Sequence, residues 1–392
     1  MGGTERYVQR VLDISTPLQR KSQFLFGPRM TGKSTIIRKE LAEIPALYWN
    51  LLKTGLQRRV KQNPELLAQE VEARQLSNCL IVIDEIQLVP ELLNEIHHLI
   101  EEYSIRFLLS GSSSRKLIRR DGPNLLGGRA GWLALHPFVF PEIKNLNLSL
   151  EHIFATGLMP HIYLSDEPGQ DLDDYVAIYL RDEIGREGEV RKLDTFARFL
   201  DVAATTSGEI VNYTNIASDV GISRQSITNW YQILIDTLIG YYLPAFTNGV
   251  KRKTFGLPKF YLFDLGITRA LLQIPPPQEG QTEYGHFLEH YICMELRAFL
   301  DYRQHKEILS YWRTTSGFEV DFILGDKVAI EVKATKESNA RDYRGLIAFM
   351  EEGIAERHIL VCREEQPRKL SNGIEIHPWR FFLEQLWSGR IL

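Results

Sequence analysis

Gly27-Pro28-Arg29-Met30-Thr31-Gly32-Lys33-Ser34 decides how the first third of this chain is read. The octapeptide fits G-x-x-x-x-G-K-[ST] in full. It follows an apolar run, Ser22-Gln23-Phe24-Leu25-Phe26, and precedes a stretch with helical spacing, residues 34–44, closed by Pro45. Strand, glycine-rich loop and helix in that order make a phosphate cradle. The glycines let backbone N–H groups turn inward, Lys33 brings a point charge to the β- and γ-phosphates, and the Ser34 hydroxyl suits Mg²⁺. The pattern implies ATP with Mg²⁺, bound by residues 27–34 together with Thr35.

Working outward, short apolar runs at 46–49, 80–83 and 106–109 alternate with helical spacing, as at 90–103. Strands alternating with helices predict an α/β fold with a parallel sheet covered on both faces. Leu80-Ile81-Val82-Ile83 ends in Asp84-Glu85, about fifty residues after the loop. Asp84 is expected to hold the Mg²⁺ hydration shell and Glu85 to activate the attacking water. An acidic pair at a strand end is also common on surfaces; the upstream loop favours the catalytic reading. A glutamate beside the metal aspartate implies hydrolysis rather than passive nucleotide holding.

Leu109-Ser110-Gly111-Ser112-Ser113-Ser114-Arg115 follows the next strand. In P-loop ATPases of the AAA+ kind a polar residue at this strand end senses the γ-phosphate. Ser112 and Ser113 are candidates, with Arg115 beside them, against the plainer reading of a Ser/Gly turn. Leu125-Leu126-Gly127-Gly128-Arg129 places an arginine on a flexible loop, a candidate arginine finger acting across a subunit boundary; Arg119 and Arg120 compete for that role.

These motifs, with Pro137-Phe138 and Glu142, resemble a large group of prokaryotic ATPases. That group joins an AAA-type P-loop domain to a C-terminal domain of unknown function, here restriction-endonuclease-like. The resemblance covers nearly the whole chain and implies fold more than biological role.

Composition sets outer limits. Of 392 residues, 44% are hydrophobic and 24% charged, which is ordinary for a globular chain of two or three domains. The net charge of −4 leaves nucleic acid to local patches. Cys79, Cys293 and Cys362 lie far apart, which argues against a disulfide framework or a zinc site. The first residues lack a signal-peptide core, and no apolar run approaches the length of a membrane span, so a cytoplasmic chain without a membrane partner is expected.

From about Leu150 the pattern turns helical. Residues 212–223 read as helix, glycine turn and cap, with Ala217, Val220, Ile222 and Ile227 as a helix–turn–helix core. The second helix, 224–234, would show Arg224, Gln225, Thr228 and Asn229 outward, residue types suited to phosphates or base edges. Two strands, 238–246 and 258–263, would form a wing with a basic tip, Lys251-Arg252-Lys253, suited to DNA phosphates. The competing reading is a winged helix used only for protein contacts. A winged helix beside an AAA-type motor also resembles the layout of the bacterial Holliday-junction branch-migration motor.

After a stiff Ile274-Pro275-Pro276-Pro277 break comes a helix, 284–302, and a run of strands. Asp321 and Glu331-Val332-Lys333 fall on adjacent strands of a hairpin around Gly325-Asp326-Lys327. Two carboxylates can share a divalent metal while the lysine orients water or stabilises phosphate charge, and Glu289 on the preceding helix adds a third carboxylate. This resembles the PD-(D/E)xK nuclease-like fold, with Val320 where a proline is usual. A surface hairpin of alternating charge is the plain alternative.

The expected organisation is an AAA+ P-loop ATPase core over 1–148, a helical lid over 149–208, a winged helix over 209–272 and a PD-(D/E)xK nuclease-like α/β domain over 278–392. The expected activity is that of an ATP-hydrolysing, DNA-acting motor or remodeller, such as a branch-point translocase, working as a hexameric ring. Two alternatives are an ATP-dependent nuclease of DNA defence or repair, and a nucleotide-gated signalling or scaffold protein.

Overall fold

The computed structural model describes residues 7–42, 44–113, 125–146, 148–184, 193–248 and 251–392. The chain divides into two compact units, Met1–Phe138 with Asp236–Ile239, and Val139–Ile235 with Gly240–Leu392.

In the first unit, β1 (Ser22–Phe26), β2 (Leu47–Asn50), β3 (Leu80–Asp84), β4 (Arg106–Gly111) and β5 (Ala130–Ala134) form one parallel sheet. The order is β2-β3-β4-β1-β5. Both β1 and β3 are buried throughout, which explains why they read as continuous apolar runs rather than alternating ones. Phe24, Phe26, Ile81, Ile83, Phe107 and Leu109 share a core with Leu92, Ile96 and Leu99 of the helix Leu92–Tyr103. Each buried phenylalanine contributes roughly 2–3 kcal/mol.

Because the strands are parallel and β4 lies between β1 and β3, the C-terminal ends of all three meet along one rim. That rim is where open α/β sheets bind ligands. The helix after the P-loop runs Lys33–Glu40, shorter than its spacing suggests. Pro45 disfavours helical geometry in the residue before it, and the chain leaves the helix a turn earlier.

The second unit opens with helices, among them Leu150–Thr156, Pro168–Asp174 and Leu193–Thr205. A helix–turn–helix follows, Tyr213–Val220 and Arg224–Asp236. Its grammar is as the sequence suggests. Asn212 accepts from the Asn215 amide at 3.1 Å, Gly221 turns left-handed at φ 78°, and Ser223 accepts from the Ser226 amide at 3.1 Å. Ala217, Val220 and Ile227 are buried, while Ile222 is only half-buried. β6 (Gly240–Leu243) and β7 (Lys259–Leu262) pair antiparallel.

The C-terminal part has a long helix, Thr282–Tyr302, and a six-stranded mixed sheet. Its strands are β8 (Leu309–Arg313), β9 (Glu319–Leu324), β10 (Val328–Val332), β11 (Arg357–Cys362), β12 (Arg368–Lys369) and β13 (Glu375–Pro378), in the order β12-β13-β11-β10-β9-β8. β8, β9 and β10 are antiparallel neighbours. The helix Arg344–Met350 then carries the chain to β11, parallel to β10.

Among the described residues, the chain between β6 and β7 does not project as a free tip. It laces along β8, the last strand of the sheet. The Phe246 amide donates to Tyr311 O at 2.6 Å, the Phe255 amide to Arg313 O at 2.9 Å and the Thr315 amide to Lys253 O at 3.0 Å. These bonds cover an edge that would otherwise present unpaired backbone groups. Both expected modules therefore lie within one compact unit, and the 274–277 break is inside it. Among the described residues no helix is long and apolar enough to cross a membrane.

Candidate nucleotide site and acidic cleft

The P-loop leaves β1 through Gly27, where a Cβ would stand 2.4 Å from Leu135 O, so only glycine fits. It enters the helix through Gly32 at φ 93°. Between them the Thr31 hydroxyl donates to Pro28 O at 2.8 Å. Behind the loop, buried Arg10 donates to Thr31 O at 2.7 Å and to His136 O at 2.6 Å, with its guanidinium over the Phe138 ring. Arg10 thus braces the loop against the strand-β5 exit, a role no sequence motif announces.

Lys33 is buried, and its ammonium donates to Gly27 O at 2.7 Å and Pro28 O at 3.0 Å. Burial pushes its pKa down to about 8, against the opposing pull of the Glu85 and Asp84 charges. Asp84 is fully buried and collects three hydroxyls: Ser34 Oγ at 2.8 Å, Tyr48 OH at 2.9 Å, and Ser110 Oγ. Burial, then the Asp84 charge, raises the Tyr48 phenol above its usual range. The sequence pair Ser34 and Asp84 is therefore assembled in space across fifty residues of chain.

Glu85 takes a left-handed conformation, φ 63° and ψ 48°. For a residue with a Cβ this costs about 1 kcal/mol or more, held by its surroundings. Its Oε2 accepts from Gln87 Nε2 and from Ser112 Oγ, the latter at 3.2 Å. Ser112, at the end of β4, is thus brought to Glu85, and neighbouring Ser113 is fully buried. Arg29 and Met30 lie on the loop, with the Met30 side chain 45% exposed, and Thr35 follows on the helix.

Arg115, with Arg119 and Arg120, lies outside the described residues. Arg129 precedes β5 and forms an ion pair with Glu101 of the helix Leu92–Tyr103. β5 runs parallel to β1 with Ala130 opposite Ser22. Arg129 therefore sits at the opposite end of the sheet from its own P-loop, about 20 Å away along the strand direction.

In the helix–turn–helix, Arg224, Gln225, Thr228 and Asn229 are all exposed on the second helix. The wing tip differs from the free basic tip expected. Arg252 pairs with Glu351 and with Glu352 at 3.3 Å, donates to Ala348 O at 2.8 Å, and lies over the Phe318 ring. The Lys251 amide donates to Glu352 Oε2 at 2.7 Å. An acidic pair about a hundred residues later thus takes up the central arginine of the run. Lys251 and Lys253 keep exposed side chains.

Asp321 and Glu331 stand opposite each other on β9 and β10, both buried. Lys333 Nζ is 2.5 Å from Glu331 Oε1 and 3.9 Å from Asp321 Oδ2, and the Val332 amide donates to Asp321 at 2.8 Å. Burial raises both carboxyls, with the Glu289 charge adding at Asp321 and the Asp321 charge adding at Glu331. At Lys333 burial works against the ammonium, and Asp321 and Glu331 outweigh it, so its pKa rises.

Two further groups come from β7. Lys259 on β7, 3% exposed, reaches Glu319 at 2.8 Å and Glu289 at 3.3 Å, and the Tyr261 hydroxyl donates to Glu289 at 2.6 Å. These residues line a cleft of about 480 Å³ with His286 and Arg313. Alternation along β7 puts Lys259 and Tyr261 on one face, a signal visible in sequence only once their facing partners are known. Among the described residues no three His, Cys, Asp and Glu side chains are grouped so as to hold a metal ion.

Comparison with known proteins agrees with this anatomy. Residues 19–144 match the AAA domain family. With the parallel sheet and the P-loop geometry above, this defines the N-terminal part as an AAA-type P-loop ATPase domain. Residues 147–278 match a domain of unknown function (DUF8612), and residues 284–382 match another (DUF4143).

Among solved structures the chain is similar to the Aeropyrum pernix ORC2 protein in ADPNP-ADP complexes. Identity is 14%, covering 69% of this chain and 96% of that one, with a TM-score of 0.35. It is also similar to the Aeropyrum pernix ORC1 protein in complex with DNA, at 14% identity, covering 67% and 90%, TM-score 0.27. Domain III of the Thermotoga maritima replication initiation protein DnaA matches at 14% identity, covering 52% and 84%, TM-score 0.23. No curated protein matches the sequence significantly.

Proposed function

We propose that this chain hydrolyses ATP at the P-loop and uses the cycle to act on DNA as a motor or remodeller, including at branched DNA. The observation that carries the hydrolysis is the joining of Ser34 to Asp84 at 2.8 Å with Glu85 next in the chain and tied to Ser112. The hydroxyl and carboxylate oxygens of Ser34 and Asp84 are the hard donors that suit Mg²⁺. When bound, Mg²⁺ neutralises charge on the phosphate oxygens. Lys33 grips the phosphates, Asp84 and Ser34 hold the cation side, Glu85 takes the proton of the attacking water, and Ser112 reads the terminal phosphate.

Arg129 faces away from its own P-loop, which supports a role toward a neighbouring copy in a ring. The exposed row Arg224, Gln225, Thr228 and Asn229 supports DNA contact through the helix Arg224–Asp236. Lys251 and Lys253 add phosphate contacts beside it, and Arg252 serves the fold.

The test is ATPase measured with duplex, single-stranded and four-way DNA, with Glu85→Gln as control. Glu85→Gln is expected to bind ATP and lose hydrolysis by about 100-fold or more. Neither binding nor stimulation by any of the three DNAs would overturn the DNA reading. A second reading is phosphodiester cleavage at the acidic cleft, supported by Asp321, Glu331 and Lys333 meeting on β9 and β10 as that chemistry requires. Divalent-dependent cutting that disappears in Lys333→Ala is its signature.

A further inference from the structure

β7 opens on a charged residue and continues as Phe260-Tyr261-Leu262, all buried. The charged residue, Lys259, is as buried as they are. Its Nζ lies 2.8 Å from Glu319 Oε1 and 3.3 Å from Glu289 Oε1, with the Tyr311 ring centroid at 5.4 Å. An ammonium taken this far out of water is costly unless carboxylates surround it. Glu319 is met on its other oxygen by Arg313 at 3.4 Å. Lys333 spans Glu331 and Asp321 in the same way. The Tyr261 hydroxyl donates to Glu289 and the Val332 amide to Asp321. A divalent cation would have to take oxygens that the chain's own donors already hold. The carboxylates that the nuclease-like resemblance assigns to a metal therefore do not fit one in this arrangement. Glu331 Oε2 is buried and, among the described residues, has no hydrogen-bond partner.

We propose that Lys259 is the resident cation of the acidic cleft, neutralising Glu289 and Glu319 in place of a divalent ion and keeping Mg²⁺ and Mn²⁺ out of the DNA-free protein. The proposal goes beyond the cleavage reading and concerns metal entry without DNA, so either can fail alone. Lysine suits the role because its ammonium is a compact point charge with three donors. It also comes from outside the mixed sheet. Glu319 and Asp321 lie on β9, Glu331 on β10 and Glu289 on the helix Thr282–Tyr302, whereas Lys259 is carried in by β7. Without its charge, Glu289 and Glu319 are left short of a cation beside the unpartnered oxygen of Glu331. A dication is then the species that restores the balance.

The experiment uses the full chain without nucleotide or DNA. Melting temperature is read with and without Mn²⁺ for wild type, Asp321→Asn, Lys259→Met, and Lys259→Met combined with Asp321→Asn. Methionine keeps the length and the apolar packing and removes the charge. Lys259→Met is expected to melt below wild type and to gain about 3 °C or more over the wild-type response at Mn²⁺ of about ten times its Kd. The combined variant is expected to lose that gain. The P-loop is the same in all four proteins, so any Mn²⁺ it takes cancels. A merely structural ion pair would lower the melt without this response to Mn²⁺. No gain over wild type in Lys259→Met, or a wild-type Mn²⁺ shift that disappears in Asp321→Asn, overturns the proposal. Should Lys259→Met not fold, Lys259→Gln is read by the same criteria.

Discussion

ATP affinity should fall about tenfold between pH 7 and pH 9, and Lys33 is the reason. Its ammonium is buried at the root of the P-loop, and burial brings its pKa down to about 8 even with Asp84 and Glu85 nearby. The phosphates need the charged form, and their own negative charge raises the Lys33 pKa once bound. Binding therefore requires that the free protein hold the proton. The apparent Kd scales as one plus ten to the power of pH minus about 8, because only the protonated fraction competes for ligand. That factor is about 1.1 at pH 7 and about 11 at pH 9. The sign follows from the direction of the shift. A lysine with a lowered pKa is increasingly neutral above about pH 8, so affinity is lost on the alkaline side.

The assay is calorimetric ATP titration of Glu85→Gln, which removes turnover, at both pH values and constant ionic strength. Lys33→Ala should bind weakly and without this pH dependence. An affinity that changes less than about 2-fold over the interval would refute the argument, since a lysine of ordinary pKa stays charged at pH 9.

Glu295 gives a second pH signature, in stability. Burial raises its carboxyl to about 8, against hydrogen bonds from Trp387 Nε1 at 2.7 Å and the Phe140 amide at 2.8 Å. A carboxyl raised above its unfolded value favours the native state at low pH, and that contribution is lost as pH rises toward 8. Between pH 5.5 and 7.5 denaturant titrations should show Glu295→Gln gaining about 1.4 kcal/mol on the wild type per pH unit, and a flat difference would rule the shift out. Glu352→Ala should destabilise the second unit by about 2–3 kcal/mol in urea unfolding, because the buried carboxylate serves the Lys251 amide and Arg252. If Arg129 acts toward a neighbouring copy, Arg129→Ala should leave ATP Kd within about 2-fold while cutting turnover about 1000-fold. Equal turnover by both proteins would remove Arg129 from the reaction. Replacing Arg224 and Asn229 with alanine should weaken DNA binding and flatten its salt dependence by about one phosphate contact; unchanged binding would clear that helix of the role.

The legible parts of the molecule were those written in short stretches. The P-loop, the strand ending in Asp84-Glu85 and the helix–turn–helix caps each depend on residues within a dozen positions, so spacing alone specifies them. Parallel packing then brings the rim together, and the αβ alternation announces that packing. Gln87, Tyr48 and Ser110 were missed because their meaning depends on strand order. Ser110 and Tyr48 reach Asp84 only because β4 and β2 flank β3. Lys259 looked like a wing residue, since its partners Glu289 and Glu319 follow 30 and 60 residues later. The basic run 251–253 was ambiguous for a related reason. A DNA phosphate and a pair of glutamates attract an arginine equally well, and Glu351-Glu352 lies too far along the chain for local pattern to reveal it.

The lacing of Pro244, Phe246, Lys253 and Phe255 along the β8 edge of the sheet makes the proline-rich segment a poor place to cut this protein. A fragment starting after Pro277 would carry β8 with its outer backbone groups bare, a ready template for another copy of the same strand. Such a piece would be prone to pair edge to edge in solution. The same stitching ties β6 and β7, which follow the helix Arg224–Asp236, to the sheet that carries the acidic cleft. A pull on β6 or β7 would be borne by the backbone hydrogen bonds that Pro244, Phe246, Lys253 and Phe255 make to this edge.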